Sequence, residues 1–219
     1  TATGVVSTLA GSGSAGYADG TGTAASFYYP YGVAVDSLGN VYVADYSNHR
    51  IRKITASGVV STLAGSGSYG FADGSGMVAS FYGPTSIAVD GAGNVYVADQ
   101  ANNRIRKITS SGVVSTLAGS GSPAYADGTG TAASFSGPFG VAVSSLGNVY
   151  VADDINNRIR KITSSGVVTT LAGSGSAGYT DSTGTSASFN RPQGLAVDSA
   201  GNLYVADFNN SLIRKLTPQ

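Results

Sequence analysis

The chain has 219 residues, with 12 Lys and Arg balanced by 12 Asp and no Glu. A formal net charge of zero lacks the basic surplus that a general nucleic-acid or anionic-membrane binder needs. The absence of Cys excludes disulfides, thiolate metal sites and thiol catalysis, and no apolar run approaches the ~18 residues of a membrane helix. The chain opens on Thr1 without Met and without a basic and apolar leader, so a leader removed by processing is one reading of its start.

The segment Gly-Val-Val-(Ser/Thr)-Thr-Leu-Ala-Gly begins at Gly4, Gly58, Gly112 and Gly166, 54 residues apart each time. Four units (4–57, 58–111, 112–165 and 166–219) fill the chain as a single domain, and the middle two agree at 39 of 54 positions. A fixed period in this range signals a solenoid, a propeller or an array.

In chain order, the first unit opens on an extended run, Val5-Val6-Ser7-Thr8-Leu9. A long Gly- and Ser-rich connection follows, with one helical turn expected at Thr23-Ala24-Ala25-Ser26-Phe27. A strand is predicted at Gly32-Val33-Ala34-Val35 and a turn at Asp36-Ser37-Leu38-Gly39-Asn40, where Gly and Asn tolerate positive φ. The β-branched and aromatic run Val41-Tyr42-Val43-Ala44 predicts a second strand. The hairpin Tyr46-Ser47-Asn48-His49 leads to a third strand from Arg50 to Thr55, and Val59-Val60-Ser61-Thr62-Leu63 makes a fourth. Four short antiparallel strands per unit describe a blade, so the fold class is all-β, a β-propeller of four blades. Each blade is expected to bury both faces against its neighbours. The chain begins on a fourth-type strand and ends on a third-type one. Pairing residues 5–9 with residues 213–216 would close the last blade and remove both exposed edges. The same strands could instead pair between chains, giving an oligomer or a filament.

Pro-x-Gly-(Val/Leu)-Ala-Val-Asp, Gly-Asn-(Val/Leu)-Tyr-Val-Ala-Asp and Asn48-His49-Arg50-Ile51, with its copies Asn102-Asn103-Arg104-Ile105, Asn156-Asn157-Arg158-Ile159 and Asn210-Ser211-Leu212-Ile213, resemble the repeats of NHL β-propellers over all four units. Ser86, Ser144 and Leu212 depart from the pattern, where Gly, Asp and Arg are expected. The resemblance implies a binding or scaffolding role, extracellular in many bacterial members. Some members of the family bind RNA on a basic face, and a few relatives are lyases with His-rich metal sites.

The charged residues repeat with the units. Asp45, Arg50, Arg52 and Lys53 recur one and two units on, and Asp207, Arg214 and Lys215 recur in the fourth. Four copies of one pair read as four struts rather than one asymmetric catalytic site. Asp19-Gly20 and its copies read as loop-folding Asx turns, because calcium needs several carboxylates. The Gly-Ser-Gly-Ser runs lack the strand–loop–helix setting of a phosphate loop. His49 is the one His, so a multi-His metal site or a His-assisted nucleophile has almost nothing to draw on. No catalytic residue, no metal site and no cofactor is expected.

The four units differ chiefly in two kinds of loop. Entry loops vary from Tyr28-Tyr29-Pro30-Tyr31 to Tyr82-Gly83-Pro84-Thr85, Ser136-Gly137-Pro138-Phe139 and Asn190-Arg191-Pro192-Gln193. Hairpins vary from Tyr46 to Gln100, Asp154 and Phe208. In a propeller both lie on one face. Candidate ligand-binding residues are therefore Tyr28, Tyr29, Tyr31, Tyr46, His49, Tyr82, Phe139, Arg191 and Phe208. Aromatics with a polar rim suit a protein or carbohydrate ligand, and unconstrained loop drift would leave the same pattern. The expected role is a non-catalytic binding or scaffolding module, extracellular or at a bacterial surface, with no nucleic acid and no membrane insertion. A structural protomer of a filament or oligomer, or an engineered repeat chain, is the alternative. Asn209-Asn210-Ser211 forms an N-glycosylation sequon, and the Ser- and Thr-rich, Lys-poor composition suits export.

Overall fold

In a computed structural model, residues 4–217 are described. They form four antiparallel sheets, one per repeat. Blade 1 contains β1 (Gly20–Thr21), β2 (Pro30–Val35), β3 (Val41–Asp45), β4 (Arg50–Ile54) and β5 (Val59–Ala64). Blade 2 repeats the set as β6 (Gly74–Ser75), β7 (Pro84–Val89), β8 (Val95–Asp99), β9 (Arg104–Ile108) and β10 (Val113–Ala118). Blade 3 has β11 (Gly128–Thr129), β12 (Pro138–Val143), β13 (Val149–Asp153), β14 (Arg158–Ile162) and β15 (Val167–Ala172). In blade 4 the described strands are β16 (Pro192–Val197), β17 (Leu203–Asp207) and β18 (Leu212–Leu216). The chain is thus a β-propeller of four blades, as its period indicates.

The short strands β1, β6 and β11 extend the first three sheets beyond their fourth strands by pairing with β5, β10 and β15, an addition the sequence pattern does not announce. The expected helical turn is a 3₁₀ turn one residue earlier, at Gly22–Ala24.

Adjacent blades pack through two different faces. The forward face of blade 1, with Tyr42, Ala44, Ile51 and Ala64, meets the rear face of blade 2, with Phe81, Ile87, Val95, Val97 and Ile108. Blade 2 presents Tyr96, Ala98, Ile105 and Ala118 to Phe135, Val141, Val151 and Ile162 of blade 3 in the same way. Blade 3 in turn covers Phe189, Leu203 and Val205 of blade 4. Small residues let these sheets approach. A Cβ at Gly32 of β2 would come within 2.7 Å of the Thr85 carbonyl oxygen of β7. Where Ser86 replaces glycine, its hydroxyl accepts the Val141 N–H of the next blade at 3.1 Å.

Two expectations fail at the ends. Residues 5–9 are not in a strand and do not pair with residues 213–216. They leave the body ahead of blade 1, as β5 does ahead of blade 2, so the edge they could fill belongs three blades further on. Nor do the outermost faces become buried. Val33 is 66% exposed, whereas its blade 2 counterpart Ile87 is 5% exposed. Ile213 is 77% exposed, whereas Ile51, Ile105 and Ile159 are fully buried. The four blades form an arc with a rear face open at one end and a forward face open at the other.

Candidate functional site

Two sets of repeated residues build the frame beneath the variable loops. In the first, Asp45 closes β3 and accepts the Tyr28 N–H at 2.8 Å, the Asn48 amide at 2.9 Å and Arg52 Nη1 at 2.8 Å. Arg52 Nη2 reaches Asp19 at 2.6 Å and the Ala18 carbonyl oxygen at 2.7 Å. Asp45 and Arg52 are fully buried. The same pairs form at Asp99–Arg106, Asp153–Arg160 and Asp207–Arg214. Asp19 and its copies are therefore the outer ends of charged struts, where the sequence pattern indicates Asx turns. Arg50 has a different job from Arg52. It stacks on Tyr17 at 3.8 Å and its Nη2 donates to the Ser66 carbonyl oxygen of the next blade.

The second set lies on the opposite face. Asp36 caps its turn by accepting the Leu38 and Asn40 N–H groups, the Asn40 amide and the Tyr42 hydroxyl. The Asn40 amide holds its carboxyl below the usual carboxylate value, and burial with Asp36 alongside pushes the Tyr42 hydroxyl up to about 12. Asp90 and Asp198 repeat the cap, but Ser144 keeps only a hydroxyl contact to the Asn148 carbonyl oxygen.

Entry loops and hairpins share one face, since Ser47, Ala101, Ile155 and Asn209 each donate an N–H to the entry loop of their own blade. The structure gathers some candidates and separates others. Tyr31 packs against Tyr46 at 4.7 Å and edge-on against Phe139, from blade 3, at 6.1 Å. His49 lies edge-on to Tyr82 at 5.6 Å, and Tyr82 packs on Tyr69 at 5.3 Å. Tyr28 and Tyr29 stack at 5.0 Å above a pocket of about 360 Å³ at the rear of blade 1. Arg191 is engaged by Asp154, through Nε at 2.6 Å and Nη2 at 2.8 Å. Phe208 is exposed in the blade 4 hairpin, apart from both aromatic groups.

Tyr69 was not among the candidates. Its counterparts Ala15, Pro123 and Ala177 show that this position, in the long connection, varies as strongly as the entry loops. His49 has a structural duty that single-sequence inspection overlooks. Its Nδ1 accepts the Gly83 N–H at 3.2 Å, while Oδ1 of Asn103 accepts Gly137 N–H and Oδ1 of Asn157 accepts Arg191 N–H, both at 2.9 Å. Each bridges one hairpin to the entry loop of the next blade. Partial burial, more than the nearby Arg50 charge, lowers the His49 pKa, while the Tyr46 backbone contact opposes this. An accepting Nδ1 must be unprotonated, so the ring is held as a neutral acceptor.

Two entry loops also carry backbone strain. Tyr29 has φ 49° and Arg191 φ 57°, at the position where blades 2 and 3 have Gly83 and Gly137 with φ 61° and 58°. The left-handed conformation costs a side-chain-bearing residue roughly 1–2 kcal/mol. Blades 1 and 4 accept that cost and place a large side chain on the face.

Four tandem blades, each with the Asp–Arg strut and the Asn-based hairpin, define an NHL-repeat propeller. The NHL repeat model matches residues 27–54, 81–108, 135–162 and 189–216, and the chain belongs to this family. It is 32% identical over 226 residues to Protein SUPPRESSOR OF QUENCHING 1, chloroplastic, of Arabidopsis thaliana, covering 95% of this chain and 21% of that protein. A protein of unknown function from Bacteroides thetaiotaomicron superposes with a TM-score of 0.71 at 27% identity, over 85% of this chain and 46% of the other. An auxiliary nutrient binding protein from Bacteroides ovatus superposes at 0.70 with 23% identity, over 89% and 49%. The chain therefore spans about a fifth of that plant relative and about half of each of those solved structures.

Proposed function

We propose that this propeller is a non-catalytic binding module whose entry-loop face holds a carbohydrate. The observation that carries the reading is the gathering of Tyr31, Tyr46, Tyr69, Tyr82, His49 and Phe139 into two adjoining aromatic groups on the one face where the repeats diverge. Exposed tyrosines offer a flat apolar ring for a sugar face and a hydroxyl for its polar edge. The strained Tyr29 and Arg191 support the reading, because strain kept where glycine would serve concentrates at functional sites. The His49 ring nitrogen that could act as a base already accepts Gly83 N–H, which argues against His-assisted turnover. Among the described residues, no three His, Cys, Asp or Glu side chains converge on a metal-sized site. The composition fits an exported or cell-surface protein of a bacterium, and the name of the Bacteroides ovatus neighbour fits the same role.

The test is calorimetric titration with soluble xylo-, malto- and chito-oligosaccharides. At least one series should bind, and Tyr31→Ala or Tyr82→Ala should weaken it tenfold or more, about 1.4 kcal/mol. Silence across the panel, or binding that survives both substitutions, overturns the carbohydrate reading. A protein partner whose capture depends on the same tyrosines would move the site to protein recognition.

A further inference from the structure

Among the described residues, the two ends of the arc expose complementary surfaces. In blade 4 the described strands stop at β18, whose outer edge borders a cavity of about 850 Å³ lined by Leu171, Ala172, Asp181, Gly184, Phe189 and Ile213 among others. In blades 1–3 the corresponding edge is covered by β5, β10 and β15. Residues 5–10, Val-Val-Ser-Thr-Leu-Ala, repeat β5 and β10 letter for letter. Val60, in β5, is 2% exposed, whereas Val6 is 96% exposed.

The cavity also displays the polar groups that hold a fourth strand elsewhere. Gly22 N–H donates to the Gly58 carbonyl oxygen at 2.9 Å, as Gly76 does to Gly112 and Gly130 to Gly166. Asp19 accepts Thr62 N–H and hydroxyl, and the Tyr17 hydroxyl contacts Thr62 Oγ1 at 3.0 Å. Gly184, Asp181 and Tyr179 are the blade 4 counterparts, one period of three units on. The Asp181 side chain is 94% exposed, against 43% for Asp19.

Residues 5–9 already sit as if a blade preceded blade 1. The Leu9 carbonyl oxygen lies 3.4 Å from a Cβ built on Gly58, matching 3.5 Å between Leu63 and Gly112 and 3.7 Å between Leu117 and Gly166. Behind it stand Val33 and Val35, the open rear face, and the pocket beneath Tyr28 and Tyr29. Every internal junction in the molecule joins a forward face to a rear face, and the forward face of blade 4 (Tyr204, Ala206, Ile213) is the one left over.

We propose that copies of this chain associate head to tail. The rear face of blade 1 seats on the forward face of blade 4 of a second copy, and residues 5–9 of the first enter the 850 Å³ cavity as the outer strand of that blade. The incoming Gly4 carbonyl oxygen accepts Gly184 N–H, and Thr8 takes the place that Thr62 has beside Asp19 and Tyr17. The contact is heterologous, so each copy keeps one donor end and one acceptor end. It does not depend on the carbohydrate reading, because the entry-loop aromatics remain on their own face.

The experiment is light scattering on the 219-residue chain across a wide concentration range, with two variants and their mixture. The wild-type mass should be a multiple of 21.8 kDa. Val6→Asp disables the donor and Ile213→Asp the acceptor, so each alone should be a monomer. Both side chains are largely exposed, so an unchanged far-ultraviolet circular dichroism spectrum is expected for each. Mixing the two variants should restore one intact junction and give a dimer and nothing larger. A wild-type monomer at every concentration overturns the proposal, whether or not residues 5–9 are protected from hydrogen exchange within their own chain. So does an oligomer that survives both substitutions, or a mixture that stays monomeric.

Discussion

The Asp–Arg struts and the entry-loop face lie one layer apart and differ in kind. The struts are near copies in all four blades, with Nη1 to carboxylate distances between 2.7 and 2.9 Å. The face above them differs at almost every exposed position. Asp45 and its copies also accept the first N–H of each entry loop, at 2.8 Å in all four. The loops are thus pinned at the same backbone atom whatever side chains they carry. Repetition has fixed the backbone, and that leaves the side chains above it free to diverge.

Removing a strut should break this comparison most severely. Arg106→Ala would leave Asp99 fully buried with its cation gone, and would also free the Ala72 and Ser80 carbonyl oxygens. Uncompensated buried charge of this kind costs about 3–5 kcal/mol. Chemical denaturation should show that loss with little change in the neighbouring Asp45–Arg52 pair, which makes its own complete set of contacts. Arg214→Ala should cost less, because Arg214 is already partly exposed and its second partner Asp181 stands in water.

A smaller change should move stability the other way. Tyr29→Gly gives blade 1 the residue that blades 2 and 3 already have at φ near 60°. Relief of the left-handed strain is roughly 1–2 kcal/mol, and part of it is offset by losing the stack on Tyr28. The net gain should be about 1 kcal/mol or less, read as a higher denaturation midpoint. A loss instead would show that Tyr29 holds the loop rather than straining it.

Much of this architecture is legible in the sequence, because a 54-residue period without slip fixes the blade count and a hairpin pattern fixes the strand order within each blade. The struts are legible as repeated Asp and Arg, though not which Arg is buried. Arg50 and Arg52 look alike in sequence and share one side of β4, over the same Tyr17 ring; their positions along the strand send one to the Ser66 carbonyl oxygen and the other to the buried Asp45. The aromatic face is legible as divergence between copies. Its division into two groups is not, because Phe139 reaches Tyr31 across an intervening blade. The state of the ends is illegible for a physical reason: identical strands satisfy an identical edge in cis or in trans.

His49 provides the finest test of the comparison, since it stands on the variable face and performs a repeated task. Where Asn103 and Asn157 offer an amide oxygen to the next entry loop, His49 offers Nδ1. An amide does not titrate, but an imidazole does. The folded-state pKa of His49 is lowered, chiefly by burial, so the unfolded chain binds this proton more readily than the folded one. Stability from the bridge is therefore complete above the unfolded value near 6.5 and declines as pH falls below it toward the folded value. His49→Asn should keep the bridge and flatten that decline, whereas His49→Ala should leave Gly83 N–H without its acceptor and cost about 1 kcal/mol at neutral pH. Denaturation midpoints of the three proteins between neutral and mildly acidic pH decide the matter. If wild type and His49→Asn fall in parallel, carboxylates held below their usual value in the fold, such as Asp36 and Asp90, govern the acid limb. If only wild type falls, one substitution in a repeated hairpin has given the junction between blades 1 and 2 a sensitivity to pH that the equivalent junctions lack.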